Sequence, residues 1–429
     1  MRGLWKGGVR ISSQPLTGAP KTEYSQLNRQ YWKQNVKEIP KYLTVSSVSN
    51  GLIAWLFGVT GPLLIVLQSA EKGNLAVDVT SSWIFSIYCV GGILSLLLSI
   101  YYRQPIAVAF SIPGAVLVGS TLSQHTFPEV VGAYIITGIL ILILGLLGVI
   151  NRVMKILPMP IMMGMVSGVL LPFGTDIFVS VLENPLLNGI ILFVFLLISL
   201  FDRLSKKFPP ILGAILAAII LLTGLDLVHL NEVSLSVAKP QWFRPDYNLA
   251  VIGELVFPLA LTVIAIQNAQ GIGVLKSMDY HPPVNAMTNW SGIGSIFNGF
   301  FGGHSACIAG PMTAIVSGKD TGPKEGRYAA AIVLGFFWFL FGVFAPVAAA
   351  ITQMIPASLI KLLGGLAMVG VLMSSLHMSF ASHFRMGALF SFMITISGFT
   401  ILNIGPPFWG LVGGIVVSLL LERKDFLNL

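Results

Sequence analysis

Charge is scarce in this sequence. Of 429 residues, 17 are acidic and 25 are Lys or Arg, so only 10% are charged. A soluble globular domain carries roughly 25%, so there is too little charge here to cover a water-facing surface. Cysteine is almost absent too. The 2 cysteines, Cys89 and Cys307, lie inside apolar runs, which excludes a disulfide framework. Roughly the first 40 residues are polar and basic and lack the short apolar core of a cleavable signal peptide. Metal, phosphate-loop and nucleophile motifs are missing as well. Gly271-Ile272-Gly273 is a fragment of a nucleotide fingerprint and follows no strand. The sequence therefore reads as neither an enzyme nor a cofactor-binding protein.

Apolar residues dominate instead: 55% of the chain is hydrophobic, and the mean hydropathy is +0.84. This excess excludes disorder. The apolar residues come in long unbroken runs rather than the alternating strands of an outer-membrane barrel. An all-α polytopic membrane protein follows. Fourteen apolar segments are predicted, at 51–70, 81–101, 105–122, 128–150, 157–182, 185–201, 209–226, 248–274, 286–301, 303–318, 328–353, 357–378, 386–404 and 406–421. The formal net charge of +8 could suggest nucleic acid, but the charges sit elsewhere. With the N-terminus in the cytoplasm, 21 basic residues fall inside and 4 outside (Lys72, Lys239, Arg244 and Lys361). This satisfies the positive-inside rule, and one missed span would spoil it. The implied partner is the lipid bilayer, in a cell membrane. Residues 1–48 form a basic cytoplasmic lead whose end, Tyr31 to Lys41, suits an amphipathic surface helix.

The two halves repeat. Pro113 and Pro311 are 198 residues apart, as are Pro158 and Pro356. Pro209-Pro210 with Gly213 matches Pro406-Pro407 with Gly410 at 197, and Gln68 with Ala70 matches Gln267 with Ala269 at 199. The repeats are 49–226 and 248–422, with an extracellular linker at 227–247. Seven spans in each turn the second copy upside down. That is the inverted-repeat plan of secondary transporters, with a site near the bilayer midplane.

Spans 3 and 10 are short, and each has Gly beside Pro in its middle: AVAFSIPGAVLVGS from Ala107 and GGHSACIAGPMTAIVSG from Gly302. Proline removes a backbone donor and pushes the preceding residue out of the helical region. Each span is therefore expected to be part extended and part helix, which lipid tolerates only beside a cavity. Two half-helix N-termini would then converge and offer N–H groups to an anion. Plain proline kinks are the alternative. Span 8 carries Gln267, Asn268 and Gln270, with Gln267 and Gln270 on one face. Amides can hold a carboxylate without a buried counter-charge, or can simply bond helix to helix. Candidate substrate-binding residues are Ser111, Gly114, Gln267, Asn268, Gln270, His304, Ser305, Ala306 and Cys307. Candidate proton-coupling residues are His304, Glu254 and Asp176. Each of these three also has a plainer reading, as a structural or interfacial group.

QNAQGIGVLKSMDYHPPVN (Gln267–Asn285) and FFGGHSACIAGPMTAIVSG (Phe300–Gly318) carry a resemblance. They are similar to the benzoate:proton symporter family: a Gln-Asn pair, a Tyr-x-Pro-Pro-Val-Asn turn, then Gly-Gly-His before a short Thr-Ala-Ile helix. One departure is Ala269-Gln270, where the family pattern has Leu-Pro. The resemblance extends more loosely to nucleobase and sulfate permeases of seven-plus-seven design. It implies a core domain of spans 1–4 and 8–11, a gate domain of spans 5–7 and 12–14, and a fold group in which a homodimer is compatible. It also implies secondary active import of benzoate or a similar small aromatic carboxylate, with a proton as the coupling ion. The nucleobase carriers have a Glu in span 8; the aligned position here, Ile266-Gln267, is not acidic. A nucleobase or inorganic-anion permease and an anion channel of the same fold remain the alternatives.

Overall fold

The computed structural model describes residues 21–148, 158–201, 205, 208–225, 236–381, 383–398, 401 and 405–426. Part of the basic lead, the start of the linker and the loops bearing Arg152, Lys155, Arg203, Lys206 and Lys207 lie outside the described residues. The rest is mostly helical. Helix α1 is Lys21–Tyr42, α2 Val45–Lys72 and α3 Val77–Tyr102. Strand β1 (Val108–Phe110) leads into α4 (Ile112–Leu122). Then come α5 (Phe127–Leu146), α6 (Met159–Glu183), α7 (Pro185–Ser199) and α8 (Pro210–Gly224). The second half holds α9 (Leu249–Ser277), α10 (Val284–Phe300), strand β2 (Ala306–Ile308) and α11 (Gly310–Ser317). It ends with α12 (Tyr328–Val343), α13 (Ala345–Met354), α14 (Ala357–Phe380), α15 (Arg385–Ile396) and α16 (Pro406–Leu421).

Among the described residues, 7 helices are long and apolar enough to cross a membrane, and further apolar helices run 10–17 residues. Local chemistry sets the ends. Thr44 caps α2, exchanging hydrogen bonds with Ser47. Thr126 donates its N–H and hydroxyl to the Glu129 carboxylate at the start of α5. Asn184 caps α7 through the Leu187 N–H. The expected single span at 328–353 is in fact two helices, α12 and α13, that break at Phe344. Pro346 is the cause: it has no N–H to continue the ladder and fits only in the first turn of a new helix.

The two proline-bearing segments are part extended and part helix. β1 and β2 pair antiparallel, with Val108 opposite Ile308, Ala109 opposite Cys307 and Phe110 opposite Ala306. This pairing satisfies the backbone groups that leave the helix at depth. α3 packs along α12, α5 along α10, and α2 against both α12 and α4. Separately, α6 packs along α14 and α15, and α15 along α16. The close crossings use glycine: a Cβ at Gly92 on α3 would lie 2.5 Å from the Gly335 carbonyl of α12. The end of the basic lead, expected on the membrane surface, is tied to the protein. Asn35 donates to the Ile100 carbonyl, the Tyr328 hydroxyl donates to the Asn35 carbonyl, and Glu38 pairs with Arg103.

Candidate functional site

A cavity of about 630 Å³ opens between the two packing groups. Its walls come from α2, from the strand-to-helix turns at Ala109–Pro113 and Ala309–Met312, from α9, and from α6, α8 and α14. The lining is almost entirely apolar, with Phe110, Met163, Phe195, Met312, Leu366 and Met378 prominent and prolines at 62, 113, 209, 210 and 311. Its volume is that of a small-molecule site.

Polar groups are few. Gln267 and Gln270 project from α9 one turn apart. Gln267 lies at the end of a π-helical stretch, Thr262–Asn268, where an extra residue in the turn redirects the side chains that follow. It is only 7% exposed. Neither amide has a hydrogen-bond partner among the described residues. Gln270 is exposed to the cavity, so both amides are free to pair with whatever occupies it. The Gln270 amide lies flat on the start of α11: a Cβ on Gly310 would come within 2.6 Å of it.

The two half-helix starts differ. Ser111 caps α4, its Oγ accepting from the Gly114 N–H at 3.0 Å and donating to Thr262 Oγ1 at 2.8 Å. The Gly114 N–H is therefore taken. At α11 the cap position is Ala309, whose side chain can accept nothing. The N–H groups of Gly310 and Met312 have no partner among the described residues, and Ala309, Pro311 and Met312 line the cavity. The positive end of the α11 dipole is thus the open one.

The remaining candidates lie away from the cavity. Asn268 is 1% exposed and turned into the protein. Its Nδ2 donates to Ser291 Oγ at 3.2 Å, and its Oδ1 accepts from the Ile308 N–H at 2.8 Å, which positions β2. His304 is fully buried. Trp83 Nε1 donates to its Nδ1 at 3.0 Å, and its Nε2 donates to the Ser111 carbonyl at 2.9 Å. An indole N–H can only donate and a carbonyl can only accept, so the ring is the neutral Nε2–H tautomer with both nitrogens in use. Ser305, Ala306 and Cys307 are buried in or beside β2, and the Ala306 N–H is already donated to Ser295 Oγ. Glu254 and Asp176 also stand apart from the cavity. Glu254 is 6% exposed. One oxygen accepts from the Thr121 hydroxyl at 2.7 Å, and the other lies 3.6 Å from His125 Nε2. Asp176 accepts from Gln68 Nε2 at 3.1 Å, so Gln68 bridges α2 to α6.

Sequence reasoning missed the α14 wall and its Ser374, which is also unmatched by any motif or repeat landmark. It used Pro209 and Pro210 only as landmarks, yet both line the cavity.

Comparison with known proteins agrees with this architecture. A family model described as benzoate membrane transport protein matches residues 41–420. The chain is 30% identical over 382 residues to the inner membrane protein YdcO of Escherichia coli K12, covering 88% of this chain and 97% of that protein. It is 29% identical over 395 residues to the benzoate membrane transport protein of Acinetobacter baylyi, covering 91% and 98%. Among solved structures, SLC26A9 superimposes with a TM-score of 0.60 at 14% identity, covering 98% of this chain and 73% of that one. The transmembrane domain of the cyanobacterial bicarbonate transporter BicA superimposes with a TM-score of 0.55 at 14% identity, covering 87% and 96%. At such identities these two share the fold.

Proposed function

The chain belongs to the benzoate membrane transport protein family, and from that premise we propose that it imports benzoate or a similar aromatic carboxylate by proton symport. It crosses the inner membrane fourteen times as two inverted seven-span repeats, with the N-terminus in the cytoplasm. The two packing groups are a core (α2–α5 and α9–α12) and a gate (α6–α8 and α14–α16). The core moves against the gate and exposes the cavity alternately to either side.

One observation carries the substrate reading. Two amides without partners, Gln267 and Gln270, stand beside the uncapped start of α11 in an otherwise apolar cavity. The amides and the Gly310 and Met312 N–H groups suit a carboxylate. Phe110, Phe195 and the methionines suit a ring. A strongly hydrated inorganic ion would leave those apolar walls unused. The anion is therefore assigned to the α11 start, with Ser111, Asn268 and His304 as the struts that hold it.

The coupled proton is assigned to Glu254. His304 has both nitrogens committed, and Asp176, bonded to Gln68, is only half-buried, whereas Glu254 is buried. The Glu254 oxygen facing His125 lacks a hydrogen-bond donor, so a proton shared by this pair would complete it. Symport of one proton with one monoanion moves no net charge. The pH gradient supplies about 1.4 kcal/mol per unit, and the membrane potential adds nothing.

The test is uptake of labelled benzoate into proteoliposomes, with a pH gradient and a potential imposed separately. Saturable accumulation driven by internal alkalinity alone, above empty liposomes, is the expected result. The control matters because neutral benzoic acid crosses bilayers unaided. Uptake no greater than the control removes benzoate, and uptake driven by the potential alone removes electroneutral symport.

A further inference from the structure

Ser374 on α14 stands out among the cavity's hydroxyl groups. A serine inside a helix ordinarily returns its hydroxyl to a carbonyl three or four residues back. Its neighbours do so: Ser375 donates to the Leu372 carbonyl at 2.9 Å, and Ser379 to the Ser375 carbonyl at 2.7 Å. Thr60, on the α2 wall, donates to the Leu56 carbonyl at 2.9 Å. Ser374 has only the Met378 sulfur, at 4.0 Å. Thioether sulfur is a weak acceptor, so the hydroxyl keeps nearly its whole capacity to donate and accept. It is exposed, and it faces the cavity.

Its place matters as much as its freedom. Gln267 and Gln270 are on α9, in one packing group, whereas Ser374 is on α14, which packs chiefly along α6 in the other. The cavity lies between these walls. Among the lining groups that could hydrogen-bond a ligand, the free ones thus sit on two walls: amides with the α11 start on one and a single hydroxyl on another. Methionine, phenylalanine and proline side chains make up much of the remaining lining. An unsubstituted aromatic acid uses the first wall and leaves the hydroxyl on the second facing a ring edge.

We infer that Ser374 determines specificity for a second polar group on the ring, and that the preferred substrate is an aromatic acid bearing a hydroxyl opposite its carboxylate. This rests on the aromatic-carboxylate reading and names the substrate class within it. A phenolic hydroxyl buried without a partner is costly. Ser374 can accept from it and donate to it, so the benefit falls on the hydroxyl and not on an apolar group of equal size.

The test is competition against labelled benzoate by para-hydroxybenzoate and by para-methylbenzoate, its near-isostere without hydrogen bonding. In the wild-type protein the hydroxyl compound should bind about 2- to 12-fold tighter than the methyl compound, the range for one net hydrogen bond. In Ser374→Ala the ratio should fall to one or below, whatever happens to benzoate itself. In Ser374→Thr, which keeps the hydroxyl, the preference should return. Equal or reversed ranking in the wild type overturns the inference, as does a preference that survives in Ser374→Ala. If neither substituted variant folds, the ranking in the wild type decides alone. A protein that binds none of these acids refutes the aromatic-carboxylate reading. One that binds benzoate and ranks hydroxyl and methyl alike refutes only the role of Ser374.

Discussion

Replacing Gln267 by leucine separates binding from stability. The side chain is 7% exposed and has no hydrogen-bond partner among the described residues. In the empty protein its amide therefore contributes little to the fold, and leucine fills nearly the same space without a polar group to satisfy. On the proposed reading, the amide donates to a carboxylate in the loaded protein. A hydrogen bond to a charged group contributes about 1.5–3 kcal/mol, or roughly 10- to 150-fold in affinity at about 1.4 kcal/mol per decade. We therefore expect Gln267→Leu to weaken benzoate binding by that factor while the melting temperature of the ligand-free protein holds or rises. Equilibrium binding of labelled benzoate to purified protein gives the first quantity and a thermal melt gives the second. Affinity within twofold of wild type refutes the placement of the carboxylate. A fall of many degrees in the ligand-free melt refutes the claim that the amide is idle before substrate arrives.

Four further outcomes follow from the same geometry. Glu254→Gln keeps a group that can accept from Thr121 but cannot carry a proton, so accumulation driven by a pH gradient should fall at least tenfold in proteoliposomes; unchanged accumulation moves the proton site elsewhere. His304→Phe strips partners from the Trp83 N–H and the Ser111 carbonyl, at about 1–3 kcal/mol for each buried group, so the melt should drop while the pH profile of residual transport keeps its shape; a displaced profile restores His304 as a proton carrier. Gly310→Ala places a Cβ within 2.6 Å of the Gln270 side chain, which is flexible and should swing aside, so benzoate affinity should fall several-fold with little loss of stability. The Glu38 carboxyl lies below its ordinary value because Gln34 donates to it, with Arg103 beside it; its contribution is present at neutral pH and disappears as pH falls through that lowered value, so hydrogen exchange of residues 32–42 should quicken only in that acid range.

Much of the fold is written in the sequence because lipid enforces it. Apolar runs had to be helices, and the stretches just before the prolines at 113 and 311 had to leave the helix and find partners, which they found in each other. The site was only half legible. Gln267 and Asn268 are adjacent, both amides and both buried, yet neighbouring helix positions point about 100° apart, so one lines the cavity and the other holds β2. Composition cannot separate a polar residue that waits for a ligand from one that braces a strand. Both are buried, and only the direction of the side chain tells them apart. His304 and Ser305 were drawn in by the same ambiguity. The break at Phe344 is different: Pro346 announced it, and a continuous apolar run concealed it.

The difference between the two half-helices was also in the sequence. Ser111 and Ala309 are 198 residues apart, the same offset as Pro113 and Pro311, and so occupy matched cap positions. The proposed inverted repeat would bring two positive helix ends toward one cavity, but a single carboxylate needs only one of them. If both stayed open, the empty protein would carry twice the unsatisfied N–H groups at depth. Serine at 111 removes that burden from α4, and its hydroxyl goes on to Thr262, fastening α4 to α9 just ahead of Gln267. Alanine at 309 leaves α11 open. On the proposed reading the matched positions divide the work: α4 braces the helix that bears the amides, and α11 keeps its donors for the substrate. Ser111→Ala should accordingly loosen α9 and weaken binding indirectly. Ala309→Ser should close the remaining helix start with its own hydroxyl and compete with the substrate for it.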